Sequence, residues 1–229
     1  MARGYFITGT DTGVGKTLTA LGLMRGLQER GRQVVGMKPI ACGGQYRGDA
    51  LCNEDALALQ QAGSISLSYR QVNPVLFEPP IAPHIAAQES SRPIDVAELL
   101  TAFQDLASRA DCVVVEGAGG WLVPLNKSDN MATLAQSLAL PVILVVGLRL
   151  GCLNHALLTA ASIHSYGLTL AGWVANHIDP GFQRADDNIA ALEERIPAPL
   201  LARLPRLGSL NQTPEKIVRH FQSLELDQL

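Results

Sequence analysis

The run Gly9-Thr10-Asp11-Thr12-Gly13-Val14-Gly15-Lys16-Thr17 has the residue types that hold a phosphate chain. Its glycines allow a tight turn that aims successive N–H groups inward, and a following helix start adds partial positive charge. Lys16 can then reach the outer phosphates, and the Thr17 hydroxyl can ligate Mg²⁺. The context fits, because apolar Tyr5-Phe6-Ile7 precedes the run as a strand and Leu18-Thr19-Ala20-Leu21 follows it as a helix. The spacing departs from the usual loop: five residues separate Gly9 from Gly15, and Thr10 stands where the first glycine is expected.

Other side chains could complete such a site. Glu116 follows Val113-Val114-Val115 and precedes the small loop Gly117-Ala118-Gly119-Gly120. An acid at the tip of a buried strand beside a phosphate loop holds the Mg²⁺ shell, directly or through water. The bland alternative is a surface glutamate next to a turn. Lys38 closes another apolar run, and Pro39 biases it toward extended geometry, so its ammonium would project past the strand end. Alternatively it is a solvated lysine. Asp55, after Asn53-Glu54, reads either as charge in a helix cap or as a metal ligand. Asn176 ends an apolar run and reads either as a turn former or as an amide facing a base edge. Gly151-Cys152-Leu153-Asn154-His155-Ala156 opens a helix whose free N–H groups could take a carboxylate. Its alternative is a cap satisfied by Asn154. His84 and His155 read as structural or surface histidines.

These residues need a frame, and the sequence implies one. Short β-branched runs alternate with amphipathic segments, the pattern of repeated βαβ units. Strands are expected at 5–8, 34–38, 112–116, 142–147, 171–176 and 200–204, and helices at 18–29, 55–61, 96–108, 132–138, 154–166, 184–195 and 214–224. The fold class is therefore α/β: a mainly parallel sheet with helices on both faces, forming one domain over residues 1–229. In such a sheet, ligands bind beyond the carboxyl ends of the strands, where the polar residues above are concentrated. Residues 41–53, rich in Gly, and 73–93, rich in Pro, break the alternation and read as functional loops.

Composition narrows the functional classes. Hydrophobic residues make up 47% and charged residues 17%, which suits a buried sheet and excludes a disordered chain. Aromatics at 5% give no stacking platform for single strands, and a formal charge of −3 gives no basic footprint for nucleic acid. Cys42, Cys52, Cys112 and Cys152 form no Cys-x-x-Cys pair, so neither zinc nor a disulfide framework is indicated. The start of the chain has no apolar signal core, and the run 138–148 is broken by Pro141 and stopped by Arg149, short of the ~20 residues that span a bilayer. The expected location is the cytoplasm, with no membrane partner.

Together, the loop ending in Gly15-Lys16-Thr17, Lys38-Pro39, Asn53 with Asp55-Ala56, Asn73-Pro74, Pro83-His84, Val115-Glu116-Gly117-Ala118-Gly119-Gly120 and Gly172-Trp173-Val174-Ala175-Asn176 resemble, in order, the dethiobiotin synthetases. The likeness runs from about residue 5 to about residue 207. It implies a homodimeric P-loop ligase using ATP, Mg²⁺, CO₂ and 7,8-diaminopelargonate. By resemblance, Gly13, Val14, Gly15, Lys16, Thr17 and Leu18 hold the phosphates, with Gly117, Ala118 and Gly119 beside them. Thr17, Asp55 and Glu116 contact the metal. Asn176 and His177 meet adenine, backed by Pro205, Arg206 and Leu207. Thr12, Lys38, Cys42 and the helix start Gly151, Cys152, Leu153 and Asn154 take the substrate, the last four across the dimer interface. Lys16 and Lys38 carry the catalytic charge.

Three positions depart from the family pattern. Cys42 stands in place of a usual serine, Gly13 in place of a frequent glutamate, and Ala82 in place of a common serine. They bear on substrate affinity rather than reaction type. Two other readings compete: a paralogous ligase with another substrate, and a nucleotide-switch ATPase of the partitioning or septum-positioning type. The switch proteins commonly carry an extra lysine early in the loop, where this chain has Thr10-Asp11-Thr12.

Overall fold

The computed structural model describes residues 4–205. The first half contains β1 (Gly4–Gly9), α1 (Lys16–Gln28), β2 (Val34–Met37), β3 (Ile40–Cys42), β4 (Gln45–Arg47), β5 (Ala50–Cys52), α2 (Glu54–Ala62), α3 (Tyr69–Val72), β6 (Val75–Phe77), α4 (Pro83–Glu89) and α5 (Val96–Ala107). The second half contains β7 (Cys112–Glu116), α6 (Met131–Leu138), β8 (Val142–Leu148), α7 (Cys152–Ser165), β9 (Leu170–His177), α8 (Ala185–Glu193) and β10 (Leu200–Leu204). Each expected strand, and each expected helix within the described residues, is present to within two residues at either end. The helix expected at 214–224 lies outside the described residues.

Six strands form one parallel sheet in the order β10-β9-β8-β1-β7-β2. Every residue of β1, β7 and β8 is buried, so both faces of the centre are covered, as their unbroken apolar runs require. Helix α1 packs on β1, β2 and β7, α5 on β7, and α7 on β8 and β9. Strand register brings the functional ends together. Ile7 lies beside Glu116, Met37 beside Val115, Gly9 beside Val145 and Gly147 beside Asn176.

The two stretches that break the alternation are more ordered than their composition suggests. In the first, β4 and β5 form an antiparallel hairpin, with Gly48 at φ 62 in its turn. The second contributes β6, which pairs in parallel with β3, and α4, which opens on Pro83. Strands of three residues are too short to display an alternating pattern, so the sequence conceals them.

Candidate functional site

The phosphate loop bridges β1 and α1. Gly13 and Gly15 take positive φ, at 73 and 96 degrees, and Gly15 is the N-cap of α1. No side chain caps that first turn, which leaves its N–H groups aimed at a ligand. The loop is pinned at several points. Thr10 N–H donates to the Val145 carbonyl at 2.9 Å, and Asn176 Nδ2 donates to the Val14 carbonyl at 2.8 Å. Lys16 is buried and donates to the Asp11 carbonyl at 2.9 Å. The Asp11 carboxylate accepts from Thr12 N–H at 2.7 Å and pairs with Arg149, which ties the loop to the turn before α7. Burial, then repulsion from Lys38, pulls the Lys16 ammonium down to a pKa of about 8.

Lys38 sits one residue beyond β2, 4% exposed, with its Nζ 2.6 Å from Glu116 Oε1 and 3.0 Å from Asp55 Oδ2. Thr17 Oγ1 donates to the same Glu116 oxygen at 2.9 Å. Desolvation opposes the charge on Lys38, but the two carboxylates outweigh it and hold the ammonium above its usual range. Asp55 is partly desolvated, yet Lys38 keeps its pKa below that of a free carboxylate. Burial pushes Glu116 the other way, upward, against the pull of Lys38, and repulsion from Asp55 adds to it. Glu116 Oε2 is buried without a hydrogen-bond partner.

An orphaned carboxylate oxygen, a hydroxyl and a second, half-exposed carboxylate make an oxygen-only donor set suited to Mg²⁺. Among the described residues, no group of three or more His, Cys, Asp or Glu could enclose a metal, so the protein supplies only part of a shell. That is the usual arrangement for an ion completed by phosphates and water.

The loop, Lys38, Asp55, Glu116, Ala118 and Gly119 line one cavity of about 930 Å³. The lining also includes apolar side chains, from Ala41, Cys42, Pro80, Ile81, Ala82 and Val123. The cavity therefore offers charged groups for phosphate and apolar surface for an aliphatic chain. Burial raises the Cys42 thiol, which stays a neutral, weak donor in that lining.

A family profile described as an AAA domain matches residues 3–214. The ATP-dependent dethiobiotin synthetase BioD of Pseudomonas paraeruginosa (strain DSM 24068 / PA7) is 50% identical over 218 residues, 95% of each chain. That of Cellvibrio japonicus (strain Ueda107) is 51% identical over 206 residues, 90% of each chain. The chain belongs to the dethiobiotin synthetase family. Membership makes it an enzyme of the ATP-dependent ligase class.

Solved structures share the fold of this synthetase-family chain at low identity. The septum site-determining protein MinD of Pyrococcus horikoshii OT3, complexed with Mg-ADP, superposes with TM-score 0.54 at 19% identity, covering 96% of this chain and 87% of its own. A ParA family ATPase from Chlorobium tepidum TLS gives 0.56 at 15% identity, covering 96% and 89%. These likenesses carry the fold and nothing further, so the nucleotide-switch reading draws no support from them.

Most residues singled out in the sequence meet at this cavity: Thr12, Gly13, Gly15, Lys16, Thr17 and Leu18 from the loop, with Lys38, Cys42, Asp55, Glu116, Ala118 and Gly119. Val14 turns into the core and Gly117 packs against Phe6, so both contribute backbone only. Asn176 is buried behind the loop, and His177 ends β9 half-buried beside it. Pro205 follows β10, whereas Arg206 and Leu207 lie outside the described residues. Gly151, Cys152, Leu153 and Asn154 begin α7 but are not part of the cavity lining. The cap there is Gly151 at φ 94, and Asn154 lies inside the helix, so Asn154 does not cap it. Sequence reasoning missed Arg149, the apolar lining at Pro80 and Ile81, and the pinning role of Asp11. The Pro-rich composition of 73–93 was the only available signal for that lining.

Proposed function

We propose that this chain converts 7,8-diaminopelargonate, CO₂ and ATP into dethiobiotin, ADP and phosphate. One substrate amine captures CO₂ and sheds a proton, giving a carbamate. A carbamate oxygen attacks the γ-phosphorus and ADP departs, leaving a carbamic–phosphoric anhydride. The neighbouring amine then attacks the carbonyl carbon, closes the five-membered ureido ring and expels phosphate. No protein nucleophile is needed; the protein must orient the partners and meet negative charge with fixed cations and N–H dipoles.

Lys16 and the N–H groups of residues 13–18 fit the triphosphate. Lys38 fits the charge shared between carbamate and γ-phosphate, and by the family resemblance Asn176, His177, Pro205, Arg206 and Leu207 would meet the adenine. Thr17, Asp55 and Glu116 are the residues that would hold Mg²⁺, which when bound neutralises phosphate charge. The aliphatic chain would lie along the apolar lining with Thr12 and Cys42. The carboxylate tail would reach the α7 start, Gly151 to Asn154, of a second copy, which makes a homodimer part of the site. All of this falls within a single domain, working in the cytoplasm without nucleic acid or membrane.

The observation that carries this reading is the buried Lys38 ammonium, bridging Glu116 and Asp55 beside the phosphate loop in one cavity. The test is purified protein with ATP, Mg²⁺, ¹³C-bicarbonate and diaminopelargonate, followed by mass spectrometry. The expected result is a labelled ureido product and one ADP per ring. Sound ATP binding without that product overturns the assignment.

A further inference from the structure

Asn73 is 2% exposed, and every polar atom of its side chain is engaged. Its Nδ2 donates to the Lys38 carbonyl at 2.6 Å and to the Val75 carbonyl at 3.1 Å. Its Oδ1 accepts from the Tyr69 hydroxyl at 2.9 Å. Two carbonyls facing one nitrogen and a hydroxyl facing the oxygen leave the amide a single orientation. The Tyr69 oxygen in turn accepts from Asn53 N–H at 2.8 Å. Asn53 is the N-cap of α2, its Oδ1 accepting from Ala56 N–H at 3.2 Å, and Asp55 stands in the first turn that this cap sets.

The contacts close a ring. It runs from the Lys38 main chain through Asn73 and Tyr69 to the Asn53 main chain, along the α2 start to the Asp55 carboxylate, and back at 3.0 Å to the Lys38 ammonium. A second strut, from Lys38 N–H to the Val72 carbonyl at 2.8 Å, holds the same strand end against α3. Lys38 has a long, flexible side chain, and its partner Asp55 belongs to a different element. Their approach is therefore only as definite as the spacing of the two backbones, which Tyr69 and Asn73 span.

We propose that Tyr69 and Asn73 are positioning residues for the transfer step: they set the distance between the β2 end and the α2 start, and through it the place of the Lys38 ammonium. The inference rests on the role given to Lys38 above. Neither side chain lines the cavity, so neither touches substrate. Their effect belongs to turnover with substrates bound, not to nucleotide capture.

The test compares the parent, Tyr69→Phe, Asn73→Ser, Lys38→Gln and Lys38→Gln/Tyr69→Phe, each assayed well below its own Tm. Tyr69→Phe removes one oxygen and should lower kcat by about tenfold or more, as a small misplacement of a catalytic group does. Its KM for ATP should stay within about twofold, and Asn73→Ser should give the same split. In the Lys38→Gln background the added Tyr69→Phe should change the residual rate by less than about twofold, because the group it positions is gone. A merely structural residue would multiply its loss onto Lys38→Gln unchanged, and that outcome overturns the inference. So does a Tyr69→Phe variant with parental kcat. A parent that forms no ureido product, or a Lys38→Gln variant at full rate, instead refutes the Lys38 assignment beneath it.

Discussion

Two lysines in one small volume face opposite electrostatic problems. Among the described residues no carboxylate pairs directly with Lys16; burial and Lys38 outweigh the more distant acids and bring its pKa to about 8, whereas a bound polyphosphate would hold that proton on. ATP binding should therefore be flat with pH below about 8 and weaken above it by up to about tenfold per unit, with proton uptake. Titration calorimetry in buffers of different ionisation enthalpy reads this directly, and an affinity unchanged to about pH 9.5 contradicts it. Because the folded-state value is depressed, the burial cost of Lys16 is fully present below pH 8 and fades as pH rises through that value. Lys16→Met should then melt higher than the ligand-free parent at pH 7, while losing about a hundredfold or more in turnover. Lys38 is the reverse case. Lys38→Met leaves Glu116 buried without its cation and should cost about 3–5 kcal/mol in urea unfolding, with much of that recovered by adding Glu116→Gln.

The geometry around these groups depends on where strands and helices meet. Gly15 lies at φ 96, and a Cβ there would stand 2.2 Å from Asn176 Nδ2. Gly15→Ala should thus lose ATP binding and about 1–3 kcal/mol of stability, since it strains the cap and pushes Asn176 off the Val14 carbonyl. Equilibrium dialysis and thermal melts on the same sample measure both. The loop, the six strands and the strand-end placement of Lys38, Glu116 and Asn176 were legible in the sequence, because long apolar runs and glycine spacing report backbone geometry locally. What was not legible depends on contacts between distant residues. Asn73-Pro74 stood out as a motif, but its amide binds a carbonyl 35 residues away, and nothing in the spacing announces that. The helix starting at Cys152 was expected at residue 154, because a glycine cap carries no Ser or Asp signal.

Across the sheet, the site draws on β1, β2, β7 and β9 at once, so a ligand bound there ties non-neighbouring segments together. Mg²⁺ and ATP at a hundred times Kd should raise unfolding free energy by about 2.7 kcal/mol in one cooperative transition. Two separable transitions on calorimetry would contradict that picture. The proposed use of α7 by a second copy gives a further test at this level. Lys38→Gln and Asn154→Asp each disable a different half of the shared site, the second by setting a negative charge against the tail carboxylate. Mixed and reassociated, they should recover about a quarter of the parental rate, since half the dimers regain one intact site. No recovery, with exchange of subunits verified, would place both halves on one chain.

The contact between the Lys16 ammonium and the Asp11 carbonyl has one more consequence. With its own lysine folded back onto it, and Asn176 and Val145 gripping from behind, the loop is held by protein contacts in the curvature a polyphosphate requires. Capture then amounts to exchanging one oxygen for another at a single nitrogen, with no rearrangement of residues 9–17. Association should accordingly run at the encounter-limited pace of a rigid cradle and lack a slow induced phase.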